Sequence, residues 1–210
     1  MSGILDLLSS PMGKQLISGV AGQTGHSTDQ TGSVLSMALP LLMGAMKKNA
    51  STPEGAQGLM NALSNKHDGS ILNDLGGLFG GGVDQSVMDD GAGILGHVFG
   101  GKQPQVENAL SKKSGMDAGS IGTILKVAAP ILMGMIGQKT RQQNVSDSNG
   151  IGDLLGGLMG GGSTANKQQS LIESFLDSDG DGSILDDVAS MALGGKKGGI
   201  GGLLGGLFGK

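Results

Sequence analysis

The sequence predicts an all-α protein of two tandem modules, each made of short helices, with glycine-rich flexible segments between and after them. Three observations predict this fold. Two long apolar segments have helical spacing, the same segments recur at a fixed offset, and 43 of the 210 residues are glycine. That share is far above the roughly 7% of average proteins, and no collagen-like triplet accompanies it. Order is therefore expected in the apolar segments, with the glycine-rich stretches as connections.

The longest apolar segments predict the central helices. In 34–46 the apolar residues are spaced by three and four positions, which is the pattern of one helix face and not of a strand. Segment 124–136 has the same pattern and aligns with the first without a gap at an offset of 90. Pro40 and Pro130 lie inside these segments, where each removes a backbone donor and is expected to kink or break its helix.

A second repeat sets the predicted domain boundaries. Segment 67–75 resembles 180–188 at an offset of 113, so that extra residues lie within the second copy. The predicted organisation is a first helical module with a degenerate loop, a glycine-rich connection, a second helical module with an Asp-rich calcium loop and an internal linker, and a glycine-rich tail. The first module spans 1–82 and the connection 83–100. The second module spans 101–193 with its internal linker at 140–167, and the tail spans 194–210.

Three glycine-leucine boxes form a further pattern, at 75–82, 154–160 and 203–210. Each interior glycine costs a helix about 1 kcal/mol relative to alanine, so the boxes are not expected to be stable helices alone. They need a surface to pack on, or they stay flexible.

The segment 177–187 contains the one candidate chemical site that the sequence predicts. It contains a D-x-D-x-D-G run between two apolar segments, and Ca²⁺ takes six to eight oxygen ligands from loops of this kind. The first half is similar to an EF-hand or dockerin loop, whereas Val188 occupies the twelfth position, where a bidentate Glu normally closes the site. The alternative is a solvated acidic turn that caps the next helix. The predicted calcium ligands are Asp177, Asp179, Asp181, Ser183 through its carbonyl, Asp186 and Asp187.

The first copy of this loop is degenerate. Ser64, Lys66 and Asp68 occupy the places of the first three aspartates. We hypothesise that the Lys66 ammonium takes the place of the cation there and pairs with Asp68, giving a metal-free loop of similar shape. Because the first copy keeps a counterpart of Asp187 but not of Asp186, we expect Asp186 to be the ligand and Asp187 a structural cap.

Composition excludes several functions. Without cysteine, disulfides, zinc-thiolate sites and thiol catalysis are ruled out. A net charge of −4 and only four aromatic residues argue against a nucleic-acid partner. The run 91–96 fits G-x-G-x-x-G, but no strand rich in β-branched residues precedes it, so dinucleotide binding is not expected. The three histidines are isolated from carboxylate-rich motifs and are expected in loops or on the surface.

These observations predict a non-enzymatic calcium-binding structural or interaction module. The alternative is a membrane-surface or self-association protein that acts through its glycine-leucine segments, with peripheral membrane contact through 198–210. The partner is an unknown protein or a second copy, and no transmembrane segment is expected because the longest uncharged apolar run is too short. The N-terminus has no signal-peptide pattern, which predicts a cytoplasmic protein and leaves export by a non-classical route open.

Four segments resemble one known family: the opening at 4–8, the apolar cores at 38–44 and 128–134, and the Asp-rich run at 179–187. Across nearly the whole chain the sequence is similar to the bacterial domain-of-unknown-function family 937, to which the YidB-like proteins are related. The resemblance implies a small all-helical domain without an assigned activity.

Overall fold

The structure is a computed structural model that describes residues 4–145 and 147–160. Every regular element in these residues is a helix, which confirms the all-α prediction. The six predicted calcium ligands, the tail at 194–210 and the part of the second module after residue 160 lie outside the described residues. The α-helices are α1 (Ile4–Ser9), α2 (Pro11–Thr24), α3 (Thr28–Asn49), α4 (Pro53–Asn65), α5 (Leu75–Gly80), α6 (Gln85–Phe99), α7 (Gln103–Ser114), α8 (Ala118–Gln142) and α9 (Ser148–Gly160), and short 3₁₀ helices span Ser70–Asp74 and Gly100–Lys102.

Helices α3 and α8 form the centre of the protein, as the apolar segments predict. Leu35 and Leu125, which are equivalent at the offset of 90, are both fully buried. Pro40 and Pro130 are also buried, and each helix continues through its proline. The expected break therefore does not occur. An interior proline costs about 3 kcal/mol in an isolated helix, so burial of both central helices on several sides must offset this cost.

The helices that precede α3 and α8 are also equivalent. In α2, Leu16 and Val20 face the core, and at an offset of 90 Val106 and Leu110 do the same in α7. The four positions repeat the same spacing of four residues, which places one apolar stripe on each helix. The internal repeat thus extends beyond the two central helices.

The connections from α2 to α3 and from α7 to α8 are built in the same way. Gly25 and Gly115 end the first helix of each pair with φ values of 70° and 74°, in the left-handed region that glycine adopts without strain. Ser27 and Asp117 then begin the central helices, and each side chain accepts a backbone N–H from three residues further on. The two connections therefore have equivalent C-terminal and N-terminal caps.

The two repeats pack on each other reciprocally. Helix α2 contacts α8 of the other repeat, α7 contacts α3, and α3 contacts α8 directly. Side chains from both predicted modules join one hydrophobic core. This packing does not test the module boundaries placed at residues 82 and 101, which stay a prediction.

Two ranges expected to be glycine-rich connections contain packed helices. Range 83–100 is largely α6, which lies against α8 along most of its length. The linker range 140–167 contains α9, whose Ile151 and Leu155 are fully buried. Both helices are rich in glycine, so their own propensity is poor, and tertiary packing supplies the stability that propensity does not.

Candidate functional site

The turn that follows α4 is the degenerate copy of the predicted calcium loop. Gly69 has φ 99°, a left-handed conformation that favours glycine, at the sixth loop position. The Asp68 Oδ1 atom accepts a hydrogen bond from the Ser70 backbone N–H at 3.0 Å. A sharp turn at a position-six glycine is the backbone feature that calcium loops of this pattern require. The first copy therefore keeps the turn while lacking two of the three aspartates.

Arg141, and not Lys66, supplies the positive charge beside this loop. The Arg141 Nη1 atom lies 3.2 Å from Asp68 Oδ2, whereas the Lys66 side chain is exposed and makes no ion pair with Asp68. The hypothesis that Lys66 replaces the cation is therefore wrong. The reason is tertiary: the loop lies against the end of α8, which brings the guanidinium to the carboxylate. The hydrogen bond from Ser70 lowers the pKa of Asp68, and Arg141 lowers it further.

Two glycines of α8 allow the loop to approach that helix closely. A Cβ at Gly137 would overlap the His67 carbonyl oxygen, and a Cβ at Gly134 would come within 2.6 Å of the Ile71 side chain. The two glycines are three residues apart, so they lie on one face of α8. This face is the receiving surface for the loop, and any larger residue there would push the loop away.

His67 is buried in the same loop, with 7% of its surface exposed. Its Nε2 lies 3.6 Å from Asp90 Oδ2 of α6. Burial lowers the pKa of His67 below its ordinary 6.5, Asp90 opposes that shift, and Lys66 adds to it. His67 lies in a loop, one of the two expected positions, and its side chain is buried beside Asp90 of α6. A neutral His67 ties the loop to both helices.

The other two histidines have structural partners. His26 Nε2 lies 2.9 Å from Ser120 Oγ and 3.7 Å from Asp117, which joins the start of α3 to the start of α8. Hydrogen bonds from Ser120 lower the pKa of Asp117. His97 Nδ1 lies 2.8 Å from the Gly93 carbonyl oxygen on an exposed face of α6. No group of three or more His, Asp or Glu side chains that could hold a metal ion occurs among residues 4–145 and 147–160.

The glycine-leucine box at 75–82 forms helix α5 on the surface of α2. Leu75 is buried, and Asp74 begins the helix by accepting the Gly77 N–H at 2.7 Å. The Phe79 ring packs directly on Gly19, where a Cβ would overlap the ring. We call this contact position on α2 the Gly19 site. Beside it, an open cleft of about 530 Å³ is lined by residues of both α2 and α5.

The box at 154–160 packs in a related way. It forms the second half of α9, in which Leu154 and Leu155 are buried against the bundle. Its Met159 methyl lies 3.8 Å from where a Cβ of Gly44 on α3 would be. Both described boxes are helices with a surface to pack on, which is the first of the two outcomes that their glycine content predicts.

One described helix is long and apolar enough to cross a membrane by length and composition. It is α8, and 72% of its most apolar window is buried inside the protein. That degree of burial is typical of the core helix of a globular fold, and it accounts for the apolar character without a bilayer.

The fold and the site define a class of all-α proteins in which two equivalent helical units share one core and a glycine-centred loop is clamped to a central helix. Within that class, the family described as "Bacterial protein of unknown function (DUF937)" matches residues 6–139 and 143–210. The chain belongs to this family. No curated protein and no solved structure matches the chain.

Proposed function

We propose that the protein is a non-enzymatic structural or interaction module that Ca²⁺ braces through the loop at 177–187. The carboxylates of Asp177, Asp179, Asp181 and Asp186 and the Ser183 carbonyl supply hard oxygen ligands. Asp187 caps the following segment. Metal binding neutralises the clustered charge, orders the loop and fixes the angle between the segments on either side.

The observation that supports this proposal is the Asp68–Arg141 pair in the first loop copy. There the loop acts as a clamp between α4 and α8. Asp68 is the one aspartate of the D-x-D-x-D-G pattern that this copy keeps, and the Arg141 guanidinium balances its charge. Arg141 is the chain's single arginine. The second copy carries all three aspartates and has no arginine to balance them, so a divalent cation is the natural counter-charge.

The proposal has a measurable energetic consequence. A ligand that binds only the folded state stabilises it by about 2.7 kcal/mol when its free concentration is a hundred times the dissociation constant. A chain of this length gains about 2–4 °C in melting temperature per kcal/mol, so the expected rise is about 5–10 °C. Mg²⁺ should give a smaller rise, since it demands near-ideal octahedral geometry.

The test is a thermal melt of the full chain followed by circular dichroism, with Ca²⁺ and with chelator. The wild type should melt higher with Ca²⁺, and Asp179→Ala/Asp181→Ala should show no rise. Asp68→Ala is the matched control, because it alters the equivalent position of the first loop and should keep the calcium response. Equal melting temperatures of the wild type with Ca²⁺ and with chelator would reduce 177–187 to an acidic turn.

A second candidate function is association through the glycine-leucine segments, with a protein partner, another copy or a membrane surface. It is favoured by α5 and α9, because both described boxes are helices that pack on the bundle although their glycines lower intrinsic helix propensity. The third box, at 203–210, has the same need, and Lys196, Lys197 and Lys210 add positive charge to that end of the chain. Co-sedimentation with anionic vesicles should decrease in the full-length variant Leu207→Asp/Phe208→Asp. Equal sedimentation of the wild type and this variant would argue against membrane contact through 198–210.

A further inference from the structure

The hexapeptide that forms α5 occurs twice in the chain. Residues 75–80 read Leu-Gly-Gly-Leu-Phe-Gly, and residues 204–209 have the identical sequence. The box in α9 differs from both at one position, since Met159 stands where the other two have phenylalanine. The structure thus displays the binding mode of a sequence that the C-terminal end repeats without change.

The described boxes bind by a shared rule. In each, the fifth hexapeptide residue lies beside a glycine of a bundle helix. The Phe79 ring fills the space of a Cβ on Gly19 of α2, whereas the Met159 methyl would be in ordinary contact, at 3.8 Å, with a Cβ on Gly44 of α3. The first leucine of each hexapeptide, Leu75 or Leu155, is buried beneath it. Gly19 fits an aromatic ring flat against the helix because the missing Cβ leaves room for it.

The equivalent position on the other repeat cannot accept the same ring. At the offset of 90, Gly19 corresponds to Ala109 of α7, whose Cβ occupies the space that the Phe79 ring fills on α2. Among the described residues, the Gly19 site is therefore the surface shown to accept Leu-Gly-Gly-Leu-Phe-Gly. The adjoining cleft between α2 and α5 is open, which gives a second segment access to the same face.

We propose that residues 204–209 of the same chain are an alternative occupant of the Gly19 site and exchange there with α5. The segment is identical in sequence to the occupant described, and 43 residues, 161–203, lie between it and Gly160. Occupancy by the same chain is favoured over a second copy, since covalent linkage raises the effective concentration of the segment at the site. This inference rests on the second candidate function, which it makes specific.

Exchange has a structural consequence for the first loop. Helix α5 follows directly after the 3₁₀ helix Ser70–Asp74, which lies against α8. When 204–209 occupies the Gly19 site, α5 leaves α2 and the constraint on the end of the loop is released. The C-terminal segment thereby acts on the clamp between α4 and α8 without contacting it.

The test uses ¹⁹F NMR of the full chain labelled with fluorophenylalanine. The chain has four phenylalanines, so only four signals have to be resolved. Single Phe→Leu variants assign the signals of Phe79 and Phe208. In Phe79→Ala the site is vacated, and the Phe208 signal should move to the position that Phe79 has in the wild type. Adding Gly19→Ala closes the site and should return Phe208 to its original position. Gly58→Ala is the matched control, because a Cβ there would meet nothing within 4 Å. Adding it to Phe79→Ala in place of Gly19→Ala should leave the Phe208 signal at its shifted position.

Three results would overturn the proposal. An unchanged Phe208 signal in Phe79→Ala means that the C-terminal hexapeptide does not use the site. A shift that survives Gly19→Ala places the segment elsewhere. A shift that depends on protein concentration, together with a doubled mass in light scattering, makes a second copy the occupant. None of these results bears on vesicle binding, so the broader association function is judged separately.

Discussion

Gly91 makes a strong prediction about the contact between α6 and α8. A Cβ at this position would overlap the Lys126 carbonyl oxygen, so the collision is with the backbone of α8 and not with a movable side chain. Gly91→Ala must therefore push the two helices apart. The residues that would lose contact are buried on α6, among them Leu95 and Phe99.

The expected magnitude follows from two opposing effects. Alanine favours a helix over glycine by about 1 kcal/mol, whereas overpacking a well-packed interior costs about 1–3 kcal/mol and occasionally more. Because the backbone of α8 cannot give way, we expect Gly91→Ala to lower the free energy of unfolding by about 2 kcal/mol. Gly93→Ala is the matched control in the same helix. A Cβ there meets nothing within 4 Å, so this variant should gain up to about 1 kcal/mol.

The assay is urea unfolding of both variants and the wild type, with thermal melts alongside. A separation of about 3 kcal/mol between the variants corresponds to about 6–12 °C in melting temperature for a chain of this length. The denaturant slope should stay the same, which shows that the change is one of stability. If Gly91→Ala is as stable as Gly93→Ala, α6 does not cross α8 at Gly91 and the packing described for this pair is incorrect.

Three further predictions concern the core and the first loop. Thr31→Val should stabilise the protein by about 1 kcal/mol in urea unfolding. The buried Thr31 hydroxyl has no hydrogen-bond partner among the described residues, and the equivalent residue in the second repeat is the apolar Ile121. A loss of stability would mean that the hydroxyl is hydrogen-bonded. Leu35→Ala and Leu125→Ala should each cost about 2–5 kcal/mol and should leave a single unfolding transition, because both fill one shared core; a separate early transition in either variant would contradict that sharing. His67 should titrate below 6.5 in NMR, so the unfolded state binds more protons and the free energy of unfolding falls as pH drops through 6.5 towards the lower folded pKa. His67→Gln should remove that part of the pH dependence, and a measured pKa above 6.5 would reverse its sign.

Much of the fold follows from spacing that the sequence displays openly. The central helices α3 and α8 were predictable because their apolar residues recur with helical periodicity over many turns. The repeat at 90 residues predicted that they are equivalent. The caps at Ser27 and Asp117 also lie at the same offset, although their capping role becomes clear only from the hydrogen bonds they accept in the structure.

Helices α6 and α9 could not be predicted with the same ease. Considered over a short stretch of sequence, their glycines predict a connection or a linker, because glycine weakens an isolated helix. At Gly91 the glycine is present for the opposite reason, since it allows α6 to touch the backbone of α8. The G-x-G-x-x-G run at 91–96 likewise owes its first glycine to this crossing. Close helix contact and loop flexibility favour the same residue, and sequence alone does not separate them.

The charge partner of the first loop was missed for a similar reason. Lys66 is near Asp68 in sequence, whereas Arg141 is 73 residues away and meets Asp68 only when α8 lies against the loop. Local spacing predicted the turn at Gly69 and the need for a positive charge. The residue that supplies the charge depends on tertiary packing, which short-range patterns do not encode.

The reciprocal packing of the two repeats has a consequence for how the protein is made. Helix α8 is synthesised 90 residues after its equivalent α3, and ribosomes add about 5–20 residues per second. For about 5–18 s the nascent first half lacks α8, and the part of α3 that packs on α8 in the complete protein stays uncovered while α1, α2 and α4 can already contact α3. Two such halves on neighbouring ribosomes carry the same uncovered face, so each can pair with the other before its own second half emerges.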